Sequence, residues 1–411
     1  MEFNSWAGNH VLMKFRLSLL LLFPFNPAQA LPGTCIWQQE EVGEAQAVSD
    51  AVRERISERC LDYLWELHES QDFPGAMAAL ILPDGSEIQL PVGYADLESE
   101  SEMSPSARLL SGSIGKTYVS AAAHKLMLEG KLDFDALAAT YFEEHPWFER
   151  VPNAGSITVR QLLRHQSGIA RHVFKPKFLP DCFASPDRVW KPKELLSYIL
   201  DDAPLFPAGE DWAYADTNFV VLGMIIEKQA GMTFYDYVRQ SFLDPLGLSD
   251  TVPSDSRRVP GLVQGYIKAF AQADGPSRTL SDGVFYFNPQ FEWCGGGYAS
   301  TASDLARWAH MLYGGKAMQG DYLDVMLDGV AARLGPGKRY GHGVMLSDSA
   351  LGPEAGHDGI MMGYSATVGH LLKENLSFSL MLNTDDQRAL GQPRDRVARH
   401  LAAIALEELK R

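Results

Sequence analysis

The sequence predicts an α+β fold, an antiparallel sheet flanked by helices with a mostly helical domain inserted in it. Strand-like runs joined by a tight turn come early, strand-like runs return near the carboxyl end, and the long interval between them is helical in pattern. This order gives a sheet-and-helix domain from residues 31–134 and 300–411, and a helical domain from residues 135–299.

The elements follow in chain order. Lys14 and Arg16 precede an apolar run over residues 17–25, which closes at Pro27 and the small-x-small triplet Ala28-Gln29-Ala30. These are the parts of a secretory signal over residues 1–30, and Met13 would open a tidier one than Met1. The run falls well short of the ~20 apolar residues that cross a bilayer. Export with cleavage near Ala30, to the periplasm or outside, and no stable membrane anchor are therefore expected.

A helix is expected over residues 42–68. Residues 76–82, then Pro83-Asp84-Gly85, then residues 87–92 read as two strands and a turn. From Ser113 the chain turns helical through Ala121-Ala122-Ala123 to Leu128, with Gly130 as the stop. That helix is apolar nearly all round, which predicts burial.

Helical runs at 158–165, 219–229 and 234–242 close at Ser167-Gly168, Gly231 and Pro245-Leu246-Gly247. Another spans 301–312, with Thr301 or Ser303 as its cap. Strands are expected at 343–346, 364–372 and 376–383, and an amphipathic helix at 394–409.

The composition narrows the function classes. The 411 residues are 46% hydrophobic and 21% charged, which excludes a disordered or collagen-like chain. With 36 Lys+Arg against 52 Asp+Glu, a formal charge of −16 and no basic patch, nucleic acid is not an expected partner. Of the cysteines Cys35, Cys60, Cys182 and Cys294, a Cys35–Cys60 bridge would staple the mature terminus to the first helix. Buried thiols throughout are the equal alternative, and Thr34 disfavours a lipid anchor at Cys35. No spacing of cysteines and histidines makes a zinc pattern, so neither metal nor cofactor is expected.

Ser111-Gly112-Ser113-Ile114-Gly115-Lys116-Thr117 invites three readings. A phosphate-binding loop needs glycine where Leu110 stands, and the G-x-S-x-G elbow needs glycine where Ser111 stands. What remains is S-x-x-K, Ser113 and Lys116, on one face at the start of a buried helix. Alone this is a weak signal, since a helix cap and a solvated lysine would explain it, but such a lysine would sit on a helix almost without a polar face.

Two further segments change the weight of that motif. Tyr214-Ala215-Asp216 stands directly before a helix, and Gly356-His357-Asp358-Gly359 before a strand hairpin. In this order the three resemble the serine penicillin-recognising enzymes: class C β-lactamases, D,D-carboxypeptidases, and related esterases and D-aminopeptidases. The stretches Leu162-Leu163-Arg164-His165-Gln166-Ser167-Gly168, Asp244-Pro245-Leu246-Gly247-Leu248 and Gly295-Gly296-Gly297-Tyr298-Ala299-Ser300-Thr301 are similar to that family as well. The resemblance covers about residues 70–385.

It implies acyl transfer through an acyl-serine, with catalytic Ser113, Lys116 and Tyr214. Ser113 would attack, Lys116 or Tyr214 would take its proton, and the backbone N–H groups of Ser113 and Ile360 would hold the oxyanion. Asp216, His357 and Gly359 would contact substrate. Asp216 stands where many relatives carry asparagine, and it is expected to pair with Lys116 and shift the base role toward Tyr214; a helix cap is its rival role. His357 stands where class C β-lactamases carry lysine, which argues against a dedicated β-lactamase; as a cation it would hold a substrate carboxylate. Gly359 would let substrate backbone lie against its strand. His165, His342 and Cys294 are read as scaffold.

The expected function is thus an exported serine hydrolase acting on a small-molecule or peptide substrate. An amidase of D-amino-acid-peptidase or carboxypeptidase type ranks first, then a carboxylesterase or transacylase, a β-lactamase, and a non-catalytic ligand-binding descendant. Loops 170–195 and 260–295 would form the pocket walls and so decide the substrate.

Overall fold

The computed structural model describes residues 46–271 and 275–411. The signal segment, its cleavage point and Cys35 lie outside the described residues. Nine strands form one antiparallel sheet in the order Ser101–Glu102, Glu87–Asp96, Gly75–Ile81, Leu376–Leu382, Tyr364–Leu371, Gly352–Met361, Met345–Ser349, Arg339–Tyr340, Val330–Ala331. A carboxyl-end strand thus pairs directly with the amino-end hairpin, Ala78 opposite Leu380, and the carboxyl-end strands pair with one another, Ala366 opposite Met381.

Side-chain alternation divides the sheet between two cores. Ala76, Ala78 and Leu80 face one side, where helices Asp50–Gln71 and Arg394–Leu409 pack Ile56, Cys60 and Leu64 with Val397, Leu401 and Ala405. Met77, Ala79 and Ile81 face the other, shared with helices Ala302–Tyr313 and Lys116–Leu128 and the helical segment. Every residue of Gly75–Ile81 is buried as a result.

Several ends move relative to the sequence reading. The first helix begins at Asp50, where the Ser49 hydroxyl accepts from Val52 N–H. Thr301, not Ser303, caps its helix. The helix predicted over 219–229 starts earlier, at Asp216, and runs to Ala230.

The strand Gly352–Met361 was not legible, because its glycines and charged residues have low strand propensity. It forms because Met345–Ser349 and Tyr364–Leu371 pair with it on both sides. Cys60, Cys182 and Cys294 are buried free thiols.

Candidate active site

Ser113 sits on a 3₁₀ turn, Gly112–Gly115, that runs into helix Lys116–Leu128, rather than on the α-helix itself. In a 3₁₀ turn side chains three apart eclipse, so Ser113 and Lys116 meet. The turn is wedged between two backbones. A Cβ on Gly112, whose φ is +51°, would lie 2.6 Å from Ile360 N, and one on Gly115 would lie 2.8 Å from Gly296 Cα. Glycine at both places lets the turn seat, and Ser113 stays partly exposed among buried neighbours.

Lys116 is fully buried. Its Nζ donates to Ser113 Oγ at 3.0 Å, to Asp216 Oδ1 at 2.7 Å and to the Gly295 carbonyl. Those bonds use all the N–H groups of an ammonium. Burial alone would push the lysine pKa down, but the charge of Asp216, with Tyr214, outweighs it and the pKa is raised. The lysine is held as a cation.

Asp216 is the first residue of helix Asp216–Ala230 and the cap position is Ala215, so the aspartate does not cap. Its other oxygen takes Arg171 Nε at 2.9 Å and an Arg171 Nη at 2.7 Å. Burial would raise its pKa, yet Arg171 and Lys116 hold it well below the usual carboxylate range. Arg171 stacks 4.1 Å from the Phe174 ring centroid and 5.2 Å from that of Tyr214. Sequence reasoning missed Arg171 as a residue, although it lies in the loop marked as pocket wall.

The Tyr214 hydroxyl is buried and has no hydrogen bond of ordinary geometry among the described residues. Its ring centroid is 5.0 Å from Lys116 Nζ. Burial raises the phenol pKa; Lys116 and Ser113 counter that, and Asp216 adds to it. The segment is strapped down by His165, whose carbonyl accepts from Ala213 N–H at 3.0 Å and whose Nδ1 accepts from Ala215 N–H at 3.2 Å and Asn218 Nδ2 at 3.1 Å. The His165 ring also lies 4.2 Å from that of Tyr214.

Two expectations need correction. His357 is buried, with Nδ1 2.6 Å from the Asp358 carbonyl and Nε2 2.9 Å from Tyr340 Oη. A neutral ring that donates through Nδ1 and accepts through Nε2 satisfies both, and burial pushes its pKa down to about 4. It is not a free cation for a substrate carboxylate. Gly359 does not leave room for substrate: a Cβ there would collide with the Ser111 carbonyl. Its missing side chain seats the nucleophile turn against the strand, which also brings Ile360 backbone against Gly112.

The segment Pro289–Gly295 supplies two more groups that sequence reasoning missed, the Gly295 carbonyl on Lys116 and the side chain of Glu292. An acidic residue three positions ahead of a glycine run was the available signal. Cys294 packs its sulfur into the place of the absent Gly223 side chain, a scaffold contact. Among the described residues no cluster of His, Cys, Asp and Glu could hold a metal, and no helix is long and apolar enough to cross a membrane.

The chain is 24% identical over 355 residues to penicillin-binding protein 4* of Bacillus subtilis, covering 82% of this chain and 73% of that protein. It is 24% identical over 322 residues to a D-aminopeptidase of Brucella anthropi, covering 75% of this chain but only 56% of that protein. Among solved structures, D-amino acid amidase from Ochrobactrum anthropi SV3 superposes with a TM-score of 0.71 at 23% identity, covering 88% and 99% of the two chains. A D-stereospecific amidohydrolase from Streptomyces gives 0.67 at 24%, covering 83% and 96%. The family model described as Beta-lactamase matches residues 57–403, and with that match across most of its length the chain belongs to the Beta-lactamase family.

Proposed function

We propose that the protein is a serine hydrolase that works through an acyl-serine intermediate on an amide or ester of an amino acid, of D-aminopeptidase or D-amino-acid-amidase type. The observation that carries the reading is the Lys116 ammonium donating to the Oγ of a reachable Ser113, with Tyr214 alongside. Family membership and relatives described as D-aminopeptidase and D-amino acid amidase support it.

Ser113 Oγ attacks the carbonyl carbon and loses its proton to the Lys116–Tyr214 pair. The tetrahedral oxyanion lies toward the backbone N–H groups of Ser113 and Ile360. The C–N or C–O bond then breaks, the leaving amine or alcohol takes the proton, and water releases the acid from Ser113 by the same route in reverse.

Lys116 is cationic and Tyr214 is a phenol at rest, so the pair must shed one proton before it can act as base. A macroscopic pKa of the pair, not of either residue, therefore sets the onset of activity. Asp216 supports the cation, as its pairing with Lys116 implies. The neutral His357 favours amidase over carboxypeptidase chemistry, because no charge stands there for a terminal carboxylate. Export after cleavage near Ala30 remains part of the proposal.

The test is the intact mass of wild-type and Ser113→Ala protein after benzylpenicillin, followed by turnover of p-nitrophenyl acetate. A mass adduct or ester turnover seen in wild type and lost in Ser113→Ala is expected. Equal behaviour of the two proteins would remove the reading.

A further inference from the structure

One carboxyl group beside the nucleophile is left without a role. Glu292 lies on Pro289–Gly295, where Trp293 departs from helical geometry at φ 35° and ψ −114°. Positive φ is strained for an aromatic residue, and such strain persists where the surroundings hold it. Trp293 is held by its contact with Gly223 and by Phe234, at a ring separation of 6.2 Å.

The segment brings two groups to the nucleophile turn. The Gly295 carbonyl reaches Lys116, and the Glu292 carboxyl folds over Gly296. The position of a Cβ on Gly296 would be 2.6 Å from Glu292 Oε2 and also 2.6 Å from the Gly112 carbonyl oxygen, on the residue before Ser113. Glu292 is partly exposed between buried Phe291 and Trp293.

No hydrogen bond or ion pair engages this carboxyl among the described residues. The nearby cations, Lys116 and Arg171, are both spent on Asp216. Although the residue is partly exposed, desolvation by its packed surroundings pushes its pKa up to about 7; Lys116 and Arg171 work against that rise and Asp216 with it. A carboxyl without a partner at the edge of the nucleophile turn can pair with a cation that a substrate brings there.

We propose that Glu292 is the amine subsite of the cleft: it takes the charged amino group of an aminoacyl amide or ester whose carbonyl lies at Ser113. In an α-aminoacyl group the amine is attached to the carbon next to the carbonyl, so a carboxylate beside the nucleophile turn is where that charge falls. The assignment rests on the hydrolase reading above and narrows it to substrates with a free amine. Glu292 is a specificity-determining group; it has no part in the proton transfers at Ser113.

The experiment uses D-phenylalanine amide and its N-acetyl derivative as probes. Calorimetric binding is measured on Ser113→Ala and on Ser113→Ala with Glu292→Gln, which needs no turnover. The added Glu292→Gln change is expected to weaken the amine probe about 10-fold or more, the scale of one charge-assisted contact, and to leave the N-acetyl probe within about 2-fold. Equal loss for both probes, no loss for the amine probe, or no binding of it at millimolar concentration would each overturn the proposal. Turnover of p-nitrophenyl acetate by the wild type, lost in Ser113→Ala, shows separately whether the hydrolase reading stands.

Discussion

Lys116 and Asp216, a hundred positions apart in the chain, form a 2.7 Å ion pair in which the lysine side chain is wholly buried and the carboxylate 10% exposed. Arg171 completes a cation–anion–cation row beside the nucleophile turn. Asp216 therefore carries the negative charge that both cations need, and it connects stability with the proton inventory of the site.

Asp216→Asn is expected to lower stability by about 3 kcal/mol, because the wholly buried Lys116 and the partly buried Arg171 lose their anion. The same change removes the charge that keeps Lys116 protonated, so the onset of kcat/KM should move to lower pH by about 1 unit or more. Denaturant melts and a pH–rate profile check both. An unmoved profile would show that Asp216 does not govern the proton that must leave.

Tyr214→Phe should separate activity from stability. The hydroxyl is buried without an ordinary partner, so deleting it leaves the melting midpoint unchanged or slightly higher. Activity should fall by about 10²–10⁴, the scale of a lost general acid–base group. A variant that keeps full kcat would assign the proton transfer to Lys116 alone.

Acid should unfold the protein earlier than its carboxylates alone would dictate. Burial pushes His124, His172, His310 and His357 down to about 4 and His370 to about 3. Unfolded, each titrates near 6.5, so below that value the unfolded chain binds protons that the folded one refuses. Their contribution to stability is complete above about pH 6.5 and is lost as pH falls toward 4. Melting temperatures should be flat above pH 6.5 and drop steeply below it; a constant Tm down to pH 4.5 would contradict this.

Gly359→Ala should cost both fold and activity. The added methyl meets the Ser111 carbonyl, which cannot withdraw without displacing the Ser113 turn. Over-packing of this kind costs about 1–3 kcal/mol. Loss of p-nitrophenyl acetate turnover at temperatures where circular dichroism still shows a folded chain would place the damage at the turn. Gly85, whose added Cβ would meet nothing within 4 Å, is the comparison site, although its φ of +85° gives alanine there a backbone cost of its own.

The local features of the site were legible because their physics is local. Ser113 and Lys116 are three residues apart on one turn, and the hairpin at Pro83-Asp84-Gly85 announces itself by turn chemistry. The pairing of Asp216 with Lys116 was also reachable, since a buried lysine beside a motif needs an anion. Arg171 and Glu292 were reachable only as members of the loops marked as pocket walls, and Glu292 through its place three positions ahead of a glycine run, because each loop's path depends on what it packs against. His357 shows the same limit: its residue type suggests a cation, and its charge was decided by Tyr340 and the Asp358 carbonyl.

By itself the sequence determined the α+β order of elements, the S-x-x-K turn and the family resemblance that ties Ser113, Lys116 and Tyr214 together. Tertiary structure alone decided that Gly352–Met361 is a strand, which charges neutralise one another at Asp216, and which carboxyl is left open beside the nucleophile. The division has one cause. Propensity and periodicity act over a few residues, whereas charge states and free hydrogen-bonding groups depend on desolvation by neighbours a hundred or more residues away.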